Sequence, residues 1–491
     1  MAVDVDPVTE ATPKAVPLRR NRDFNLLWSG QAASLLGSQM SAVAYPLLIL
    51  AVTGSAAQAG IVASAQLFST LIFLLPAGVI ADRYRRKAIL VIASLIQMIA
   101  GATVVPAVLS HHVYIIQLVV VGIVQGIAGA YYQGASRGAL RRIVTTEQLP
   151  EAMAATQVRD RATVMIGPPA GGALFGISHS LPFTCDSISY GAIALAGALM
   201  HKPLDPEHIP PREPLRKGVV NGLRFVFDEP FLRLFAIWAA VLNGVIFGVR
   251  LTVIVLARNR GATPVEVGTL LSISAACGLA GALVAVPVTR LAGGRLLTLI
   301  CSWTFAIASL GMIFAPSVWV IAVLAGLTGF ALAPVNVILT ARATGVTPDH
   351  LQATVGNTML LCYSSFSSFT PALFGALTDK VGVYPVITIA TVIYALIALW
   401  LQFSRSLHQV SERPKPANST AAAVSPNAVS PNAVSPNAVS PNAVSPNAVS
   451  PNGSSPNGSS PNGSSPDGKP RRGSYAPRHA QRRWRKRNRN R

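Results

Sequence analysis

Residues 78–87 read Gly-Val-Ile-Ala-Asp-Arg-Tyr-Arg-Arg-Lys and form a short charged break between two long apolar runs. Four of these ten residues are cations, and a single acid precedes them. Each flanking run is long enough to cross a bilayer, which takes about 20 residues. The stretch therefore predicts a loop between two membrane-spanning helices, with its cations held at one face of the membrane.

Apolar runs of the same kind recur from Phe24 to Phe403, with charged residues clustered in the breaks between them. Only 12% of the 491 residues are charged, whereas a soluble domain carries about 25%. The fold class expected is therefore an all-α membrane protein with about twelve transmembrane helices. The helices are predicted near 24–52, 58–80, 88–109, 113–136, 152–177, 181–200, 231–256, 266–289, 296–315, 317–340, 353–377 and 383–403.

The breaks alternate between cation-rich and cation-poor, and this alternation predicts orientation. The cation-rich set holds Arg83, Arg85, Arg86, Lys87, Arg141, Arg142, Lys202, Arg212, Arg216, Lys217, Arg224, Arg290, Arg295 and Arg342. The other set holds only Arg258, Arg260 and Lys380. Cationic loops stay in the cytoplasm, so we expect both termini inside, in a multi-pass protein of the inner (plasma) membrane. The first apolar run is too long for a removable signal peptide.

The longest break divides the predicted helices into six plus six. Two short matches relate the halves: residues 146–149 resemble 348–351, and residues 173–176 are identical to 372–375. We therefore expect a duplicated half, with the substrate site between the halves near the membrane midplane. The expected segments are a cytoplasmic N-terminal segment 1–22, a first half 23–200, a cytoplasmic linker 201–230 and a second half 231–404.

The sequence changes character after Ser404. Residues 423–452 are six copies of Ala-Val-Ser-Pro-Asn, and related Ser-Pro repeats follow. Proline at every fifth position prevents helix and sheet, so residues 405–468 are expected to be a disordered linker. The basic cytoplasmic tail, 469–491, has eleven Lys/Arg and no acid. It is expected to contact anionic lipid, while nucleic-acid contact and a solvated tail without a role remain alternatives.

The loop at 78–87 resembles the loop 2–3 signature of the major facilitator superfamily, Gly-x-x-x-Asp-Arg-x-x-Arg-Arg/Lys. The matching residues are Gly78, Asp82, Arg83, Arg86 and Lys87. The resemblance implies the two-half fold of that superfamily and a cytoplasmic gate, in which this cluster holds the halves together in one transport state. Membrane topology alone would explain the cations but not the glycine and the acid at these spacings.

A second motif lies in the fifth predicted helix, at Gly167, Pro168, Gly171 and Gly172. It is similar to the Gly-Pro-x-x-Gly-Gly core of the antiporter motif of exporters in this superfamily. The resemblance implies a tight helix contact that prevents leakage. The match is partial, because Thr163 stands where the motif has a further glycine. Ordinary packing of a membrane helix is the alternative.

Further stretches resemble one branch of the superfamily, the enterobactin-exporter and macrolide-efflux-like group. They are residues 24–31, 36–41, 45–48, 183–190, 222–225 and 230–233. The resemblance implies an exporter of small molecules. One departure concerns coupling, because the branch often has an aspartate where this sequence has Ser38. An acid that could carry a proton in the first helix is therefore missing.

Ionisable residues inside a membrane are costly and are candidates for function. Asp160, beside two arginines in the fifth helix, is interpreted as a gate or structural residue ahead of a proton carrier. Asp186 and Arg250 lie at similar depth in the sixth and seventh helices. They could form an ion pair between the halves, which protonation of Asp186 would break, as an antiporter requires. A static pair or a snorkelling arginine is the alternative.

The remaining helix positions are apolar, with scattered amides at Gln66, Gln97, Gln125, Asn243 and Asn336. Such a lining suits a small amphiphilic substrate. The function expected is secondary active export of a drug, antibiotic or siderophore-like metabolite by proton antiport, with alternating access. An importer or facilitator on the same fold, or a membrane scaffold or sensor acting through the basic tail, remains an alternative.

Neither an enzyme nor a cofactor is expected. The sequence has no phosphate-binding loop, and no nucleophile and base are placed together. Its four cysteines lie in apolar runs without paired spacing, so no metal site and no disulfide framework are predicted. The partners expected are therefore the amphiphilic substrate, protons and lipid, and the protein is expected to be a monomer.

Overall fold

The computed structural model describes residues 17–81, 83–202, 204, 215–348 and 351–404, with the backbone alone at 215–219 and 353. These residues fall in the first of two units into which the chain divides, Met1–Val444 and Ser445–Arg491. The expectations for Asp82, for the linker 405–468 and for the basic tail 469–491 lie outside the described residues.

The described residues form helices and no strand. The α-helices are α1 (Arg22–Thr53), α2 (Ala56–Ala81), α3 (Arg86–Ala102), α4 (Val104–Leu109), α5 (Ile115–Ile143), α6 (Leu149–Ile177), α7 (Leu181–Leu199), α8 (Leu215–Asp228), α9 (Pro230–Asn259), α10 (Pro264–Leu283), α11 (Ala285–Leu291), α12 (Gly294–Phe314), α13 (Val318–Val346), α14 (Gln352–Val381) and α15 (Val383–Phe403).

Twelve of these segments correspond to the twelve predicted spans, because α3 continues into α4 and α10 continues into α11 after single-residue breaks. Ten spans are long and apolar enough to cross a membrane. The other two, α6 and α7, are the more polar ones: α6 carries Arg159, Asp160 and Arg161, and α7 carries Asp186 among serines. The linker also differs from the expectation, since it contains the helix α8.

The two six-helix halves have the same internal contacts, which confirms the predicted pseudo-repeat. In the first half α1 packs on α6 and α7, α2 packs on α5, and α3 packs on α5 and α7. In the second half α9 packs on α14 and α15, α10 packs on α13, and α12 packs on α13 and α15. The halves meet through two matching pairs, α2 with α14 and α6 with α10.

The chain brings its described termini to one end of the bundle. The Asp23 carboxylate at the start of α1 accepts hydrogen bonds from the backbone N–H groups of His201 and Lys202, which follow α7 (3.1 and 3.0 Å). Arg295 at the start of α12 donates to the carbonyl of Gln402 near the end of α15 (3.4 Å). We call this end, where α1 begins and α15 ends, the terminal end. The end where α1 stops at Thr53 and α2 begins is the opposite end.

Small residues bring the helices of each half close together. A Cβ added to Gly126 of α5 would overlap the carbonyl oxygen of Gln66 in α2, and a Cβ on Gly281 of α10 would overlap the carbonyl oxygen of Phe330 in α13. Membrane helices associate largely through such close packing, because lipid provides no hydrophobic driving force between them. The pairs α2–α5 and α10–α13 therefore have equivalent close contacts.

Candidate functional site

Asp186 of α7 lies inside the first six-helix half, between α7 and α1. Only 3% of the residue is exposed. Gly37 of α1 permits this close approach, since a Cβ there would lie 2.9 Å from the Asp186 Cα and would overlap the Ser189 hydroxyl. The structure thus places the acid in the core of one half and away from the contacts between halves.

Hydroxyl groups form the immediate surroundings of the Asp186 carboxyl. Ser41 donates a short hydrogen bond to Oδ2, and the Ser38 hydroxyl lies 3.4 Å from Oδ1. Ser38 in turn bonds to the Tyr190 hydroxyl at 2.9 Å. Among the described residues no cation lies within ion-pair distance of this acid. A buried carboxyl is thus held by neutral groups alone.

Each serine in this cluster has two acceptors for one proton. The Ser38 hydroxyl also bonds to the carbonyl of Ser34 (2.9 Å), and the Ser41 hydroxyl to the carbonyl of Gly37 (3.0 Å). A hydroxyl donates one hydrogen bond at a time and accepts others. The serines can therefore donate to an ionised Asp186, or donate to their own helix while accepting a hydrogen bond from a neutral Asp186.

The polar cluster continues toward α5 through Tyr45 and Gln125. The Tyr45 ring packs edge-on against Phe183 at 4.8 Å between centroids. Its hydroxyl and the Nε2 of Gln125 are both buried without a hydrogen-bond partner among the described residues. Gln125 lies beside Gly101, where an added Cβ would sit 3.5 Å from its Nε2. This half therefore contains a chain of polar groups around one acid.

Arg250 is not paired with Asp186, which differs from the ion pair that the sequence suggested. No acid lies within 4.0 Å of Arg250 among the described residues. The reason is that Asp186 is occupied within its own half by serines of α1. Charge complementarity predicted a partner of opposite sign, whereas the carboxyl is instead held by hydroxyl donors that the sequence does not distinguish from other serines.

Asp160 pairs with its neighbour Arg159 on α6 rather than with a residue of the other half. The guanidinium of Arg159 is almost fully buried, and its NH2 lies 2.8 Å from Oδ1 of Asp160. It also bonds to Gln31 of α1, which bonds to Ser136 of α5. This network joins three helices of the first half and fits a structural role.

An apolar groove of about 250 Å³ lies over this network, between α1 and α6. Its lining is Trp28, Ala32, Ala33, Leu36, Arg159, Ala162, Thr163 and Ile166. Trp28 is fixed there by a hydrogen bond from its indole N–H to the carbonyl of Ala155 (3.1 Å). The groove presents almost entirely hydrocarbon, with one buried guanidinium at its base.

The residues of the 78–87 loop join helices of the first half at the terminal end. Arg86 donates to the carbonyls of Ala81 (3.1 Å) and Gly138 (3.3 Å), and a Cβ on Gly138 would overlap its guanidinium. Lys87 donates to the carbonyl of Met200 at 2.7 Å. These contacts tie α2, α5 and α7 together.

Two other residues of the loop signature, Gly78 and Arg83, make no such contact with the residues that the structure describes. A Cβ on Gly78 would meet nothing within 4 Å. No neighbouring helix therefore approaches closely at Gly78 in this conformation. Arg83 is half-buried, beside Asp82, which is not described. Their expected role in holding the two halves together stays a prediction.

The antiporter-like motif on α6 has two faces, and each face packs against a different half. Gly167 and Gly171 lie against Gln39 and Met40 of α1, in the same half. Gly172 lies against the carbonyl of Pro264 in α10, and the carbonyl of Pro168 lies against Gly268 of α10. The motif therefore contributes both to packing within one half and to a contact between the halves.

The pair α2–α14 forms an equivalent contact, which the sequence did not predict. Gly60 of α2 lies against the carbonyl of Pro371, and Gly375 of α14 lies against the carbonyl of Ala56. In all four positions an added Cβ would overlap the facing oxygen. We call these the two Gly–carbonyl crossings, α6–α10 and α2–α14; both lie toward the opposite end.

These contacts show which residues of the two halves correspond. Pro168 and Gly172 play the same part in one crossing as Pro371 and Gly375 play in the other. The sequence match of 173–176 with 372–375 is displaced from this correspondence by four residues, about one helical turn. Consistent with that shift, a Cβ on Gly176 would meet nothing within 4 Å.

Asp379 of α14 adds a polar link between the halves beside the α2–α14 crossing. Its carboxylate accepts hydrogen bonds from the Ser55 hydroxyl (2.5 Å) and from the backbone N–H groups of Ala56 (2.8 Å) and Ala57 (3.0 Å). It thus caps the first turn of α2 from the other half. At the start of α10, Thr263 and Glu266 provide a cap within the helix itself.

No group of three His, Cys, Asp or Glu side chains in the described ranges is close enough to hold a metal ion. The polar features that remain are the Asp186 cluster, Arg250 on α9, the Arg159 network and the contacts between halves. A buried acid held by hydroxyl groups inside a bundle of spanning helices can exist in a neutral or an ionised form.

The sequence profile of the Major Facilitator Superfamily matches residues 27–254 and 246–437. This chain belongs to the Major Facilitator Superfamily, and it is a multi-pass membrane transporter. Among solved structures it is similar to the nucleoside transporter NupG, with a TM-score of 0.64, 12% identity, and coverage of 78% of this chain and 98% of that chain. It is also similar to an inward-facing, unoccupied bacterial homologue of the human lysosomal transporter Spinster (TM-score 0.63, 16% identity, coverage 81% and 100%).

Sequence relatives include multidrug efflux pump Tap of Mycolicibacterium fortuitum, which is 26% identical over 398 residues, 77% of this chain and 95% of that protein. Enterobactin exporter EntS of Shigella boydii is 24% identical over 253 residues, 52% of this chain and 60% of the relative. Macrolide efflux protein A of Streptococcus pyogenes is 26% identical over 156 residues, 31% and 38% of the two chains.

Proposed function

We propose that this transporter exports an amphiphilic small molecule of the drug, antibiotic or siderophore class, and that it does so by proton antiport with alternating access. The relatives named above are efflux pumps and an exporter, which supports the direction and the class of substrate. The single observation that carries the coupling to protons is the buried Asp186 with its hydroxyl partners.

Asp186 has the properties of a group that binds and releases a proton during transport. Ionisable groups at membrane depth are costly and are retained for function. A static role would favour a cationic partner for this acid, yet its partners are Ser38 and Ser41 of α1. Since these hydroxyls can donate to the ionised form and accept from the neutral form, the site tolerates both forms without a large rearrangement.

The two crossings support alternating access. They join α2 to α14 and α6 to α10 toward the opposite end through contacts that leave no room for a side chain. Export requires this contact to open while the terminal end closes, as rigid-body movement of two halves about a central site allows. In this proposal Asp82, Arg83 and their neighbours form the alternative contact at the terminal end.

The orientation proposed follows the cations. Arg86, Lys87 and Lys202 lie together at the terminal end, and cationic loops stay on the cytoplasmic side. We therefore place the terminal end, with both termini, in the cytoplasm and the two crossings at the external side of the cell membrane. A monomer is proposed, with the basic tail 469–491 on anionic lipid.

The test compares Asp186→Asn with the wild type in inside-out membrane vesicles given a panel of radiolabelled amphiphiles and an imposed pH gradient. The wild type is expected to accumulate at least one compound, and a protonophore is expected to abolish the accumulation. Asp186→Asn is expected to lose gradient-driven accumulation while still inserting in the membrane, because an amide cannot exchange a proton. Asp228→Asn, on the exposed surface of α8, is the matched control and should behave as wild type.

Three outcomes count against this proposal. Full gradient-driven accumulation by Asp186→Asn would remove that acid from the coupling mechanism. Accumulation that a protonophore leaves unchanged would exclude proton antiport. Transport only in right-side-out vesicles would favour the importer.

A further inference from the structure

Arg250 occupies the face of α9 that points away from α14. Gly244 and Gly248 pack against the rings of Phe366 and Phe374 in α14, and Thr252 continues that row. Because successive residues are rotated by about 100°, Arg250 projects from the other side of the helix. Asn243, seven residues earlier, lies on the same face as Arg250.

Arg250 lies deep among the helices rather than on the outer surface of the bundle. In the most apolar 18-residue window of α9, 72% of the residues are buried, the largest share among the spans. Ile246, Phe247 and Arg250 are half-buried on the face described above, while Val249 and Leu251 beside them are buried. Arg250 is therefore enclosed by neighbouring helices, while part of its side chain stays accessible.

Arg250 has no partner among the residues that the structure describes. No carboxylate lies within 4.0 Å of its guanidinium, and no hydrogen bond to it is formed there. Two acids of the membrane-spanning helices have other partners: Asp186 bonds to Ser38 and Ser41, and Asp160 pairs with Arg159. The two arginines that follow on α9 and at its end, Arg258 and Arg260, donate to backbone carbonyls.

A guanidinium at membrane depth without an internal counter-ion is stabilised by water or by an anion that enters from elsewhere. Such a charge is costly unless it is paired or hydrated, and arginine is suited to binding carboxylates and related oxyanions through two parallel hydrogen bonds. The helix α9 contacts α2 of the other half, so it borders the region between the halves. The unpaired charge therefore indicates a ligand with an anionic group.

We propose that Arg250 binds the acidic group of the transported molecule, so that the substrates are amphiphiles with one carboxylate, sulfonate or similar oxyanion. This inference rests on the proposed export of amphiphiles and narrows its substrate class to organic anions and zwitterions. The apolar surroundings bind the hydrocarbon part of the substrate by burying its surface, and Arg250 fixes the orientation of its anionic group. Arg250 is then a specificity-determining residue that contacts substrate.

The experiment measures binding of the fluorescent amphiphile dansyl-aminoundecanoic acid and of its methyl ester to the full-length protein in lipid nanodiscs. The two ligands differ only in the acidic group. Arg250→Gln is expected to weaken binding of the acid on the order of tenfold or more, as for loss of a charge-assisted hydrogen bond, and to change binding of the ester less than about twofold. Arg250→Lys is expected to keep part of the affinity for the acid, because it retains the charge without the paired donors.

Arg258→Gln is the matched control, since it removes an arginine two turns further along α9 whose side chain donates to the Ala262 carbonyl. It should leave both affinities unchanged. Equal weakening of acid and ester by Arg250→Gln, or no weakening of either, would overturn the inference and leave export of amphiphiles standing. Binding of neither ligand by the wild type would count against the proposed amphiphile transporter itself, and against the inference with it. If Arg250→Gln is not produced in folded form, Arg250→Lys is compared with the wild type instead. The inference then requires the ratio of acid affinity to ester affinity to be lower in Arg250→Lys than in the wild type.

Discussion

Ser41 is the residue whose removal most directly tests the hydroxyl surroundings of Asp186. It donates to Oδ2 of the carboxyl from the facing helix. Ser41→Ala leaves that oxygen without its donor, a loss of about 1.5–3 kcal/mol when the acceptor is charged. We expect gradient-driven transport to slow on the order of tenfold and a protein of near-normal abundance, measured by initial rates in vesicles.

Ser187→Ala provides the comparison at the same depth. Ser187 adjoins Asp186 in the chain, is equally buried, and donates to the carbonyl of Phe183 in its own helix (2.8 Å). It should transport at close to the wild-type rate. If both variants slow transport equally, the effect is one of packing in the bundle and not of the carboxyl's hydrogen bonds.

Gly172 tests the crossing between α6 and α10 at a single residue. A side chain there would overlap the Pro264 carbonyl, and crowding of this kind costs about 1–3 kcal/mol. Gly172→Val is therefore expected to force the halves apart at the opposite end and to reduce transport. Gly176→Val, one turn further along α6 where an added Cβ meets nothing within 4 Å, should have little effect. The measurement is labelling by a membrane-impermeant maleimide of a cysteine placed at Ala59, which is buried in α2 next to Gly60 of the α2–α14 crossing. The background lacks other cysteines. Equal labelling in the two variants would contradict this account.

At the residue scale the sequence could identify Asp186 and Arg250 but not their partners. A charge inside an apolar run is visible without a structure, because it is costly there. The partners of Asp186 are serines of α1, about 150 positions away, and nothing in a single sequence separates Ser38 and Ser41 from serines that bond only to their own helix. Charge complementarity suggested Arg250 as the partner of Asp186, whereas the groups around the carboxyl in this structure are hydroxyls.

At the scale of elements, the capping of α2 by Asp379 links a helix of one half to an acid of the other. The first-turn N–H groups of α2, at Ala56 and Ala57, have this carboxylate as their acceptor. Loss of a capping side chain costs about 1 kcal/mol. When the opposite end opens, these groups must find other partners, so the cap favours the closed arrangement of that end.

Asp379→Ala is accordingly expected to shift the conformational equilibrium toward opening at the opposite end by about fivefold, which corresponds to the loss of about 1 kcal/mol. Labelling of the cysteine at Ala59 should become faster by a similar factor. Lys380→Ala, the neighbouring exposed residue of α14, is the control and should label at the original rate. An unchanged rate in Asp379→Ala would show that the cap does not contribute to the closed arrangement.

The elements themselves were largely predictable, and the exceptions have physical causes. Twelve apolar runs correspond to twelve spans because the bilayer sets both length and composition. The helix α8 was not predicted within the linker, since it is amphipathic and gains stability by packing on α14, where Gly222 makes room for Thr358. Of the two sequence matches between the halves, the identical residues 173–176 and 372–375 are displaced by one turn from the structural correspondence, whereas 146–149 and 348–351 are displaced by one residue. The correspondence is set by a Pro-x-x-x-Gly spacing, in which the proline carbonyl faces a glycine of the other half and the glycine faces a carbonyl.

For the whole molecule, the matching contacts of the two halves imply that the crossings act together. The halves have equivalent internal packing, with α1 and α9, α2 and α10, and α6 and α14 in corresponding places. Tightly packed halves of this kind move as rigid bodies, and an interface between them is either formed or broken. Opening α6–α10 while α2–α14 stays closed would require one half to deform internally.

This rigidity predicts how substitutions at the two crossings combine. Gly172→Val and Gly375→Val each crowd a carbonyl of the other half, those of Pro264 and Ala56, and each should raise labelling of the cysteine at Ala59. Once one crossing is forced open, the second substitution meets a carbonyl that has already moved away. The double variant is therefore expected to label scarcely faster than the more affected single variant, an interaction energy of about 1–3 kcal/mol in a double-mutant cycle. Gly176→Val combined with Gly375→Val is the control and should equal Gly375→Val alone. Fully additive free energies for the two crossings would mean that they open independently, and that the halves are not rigid units.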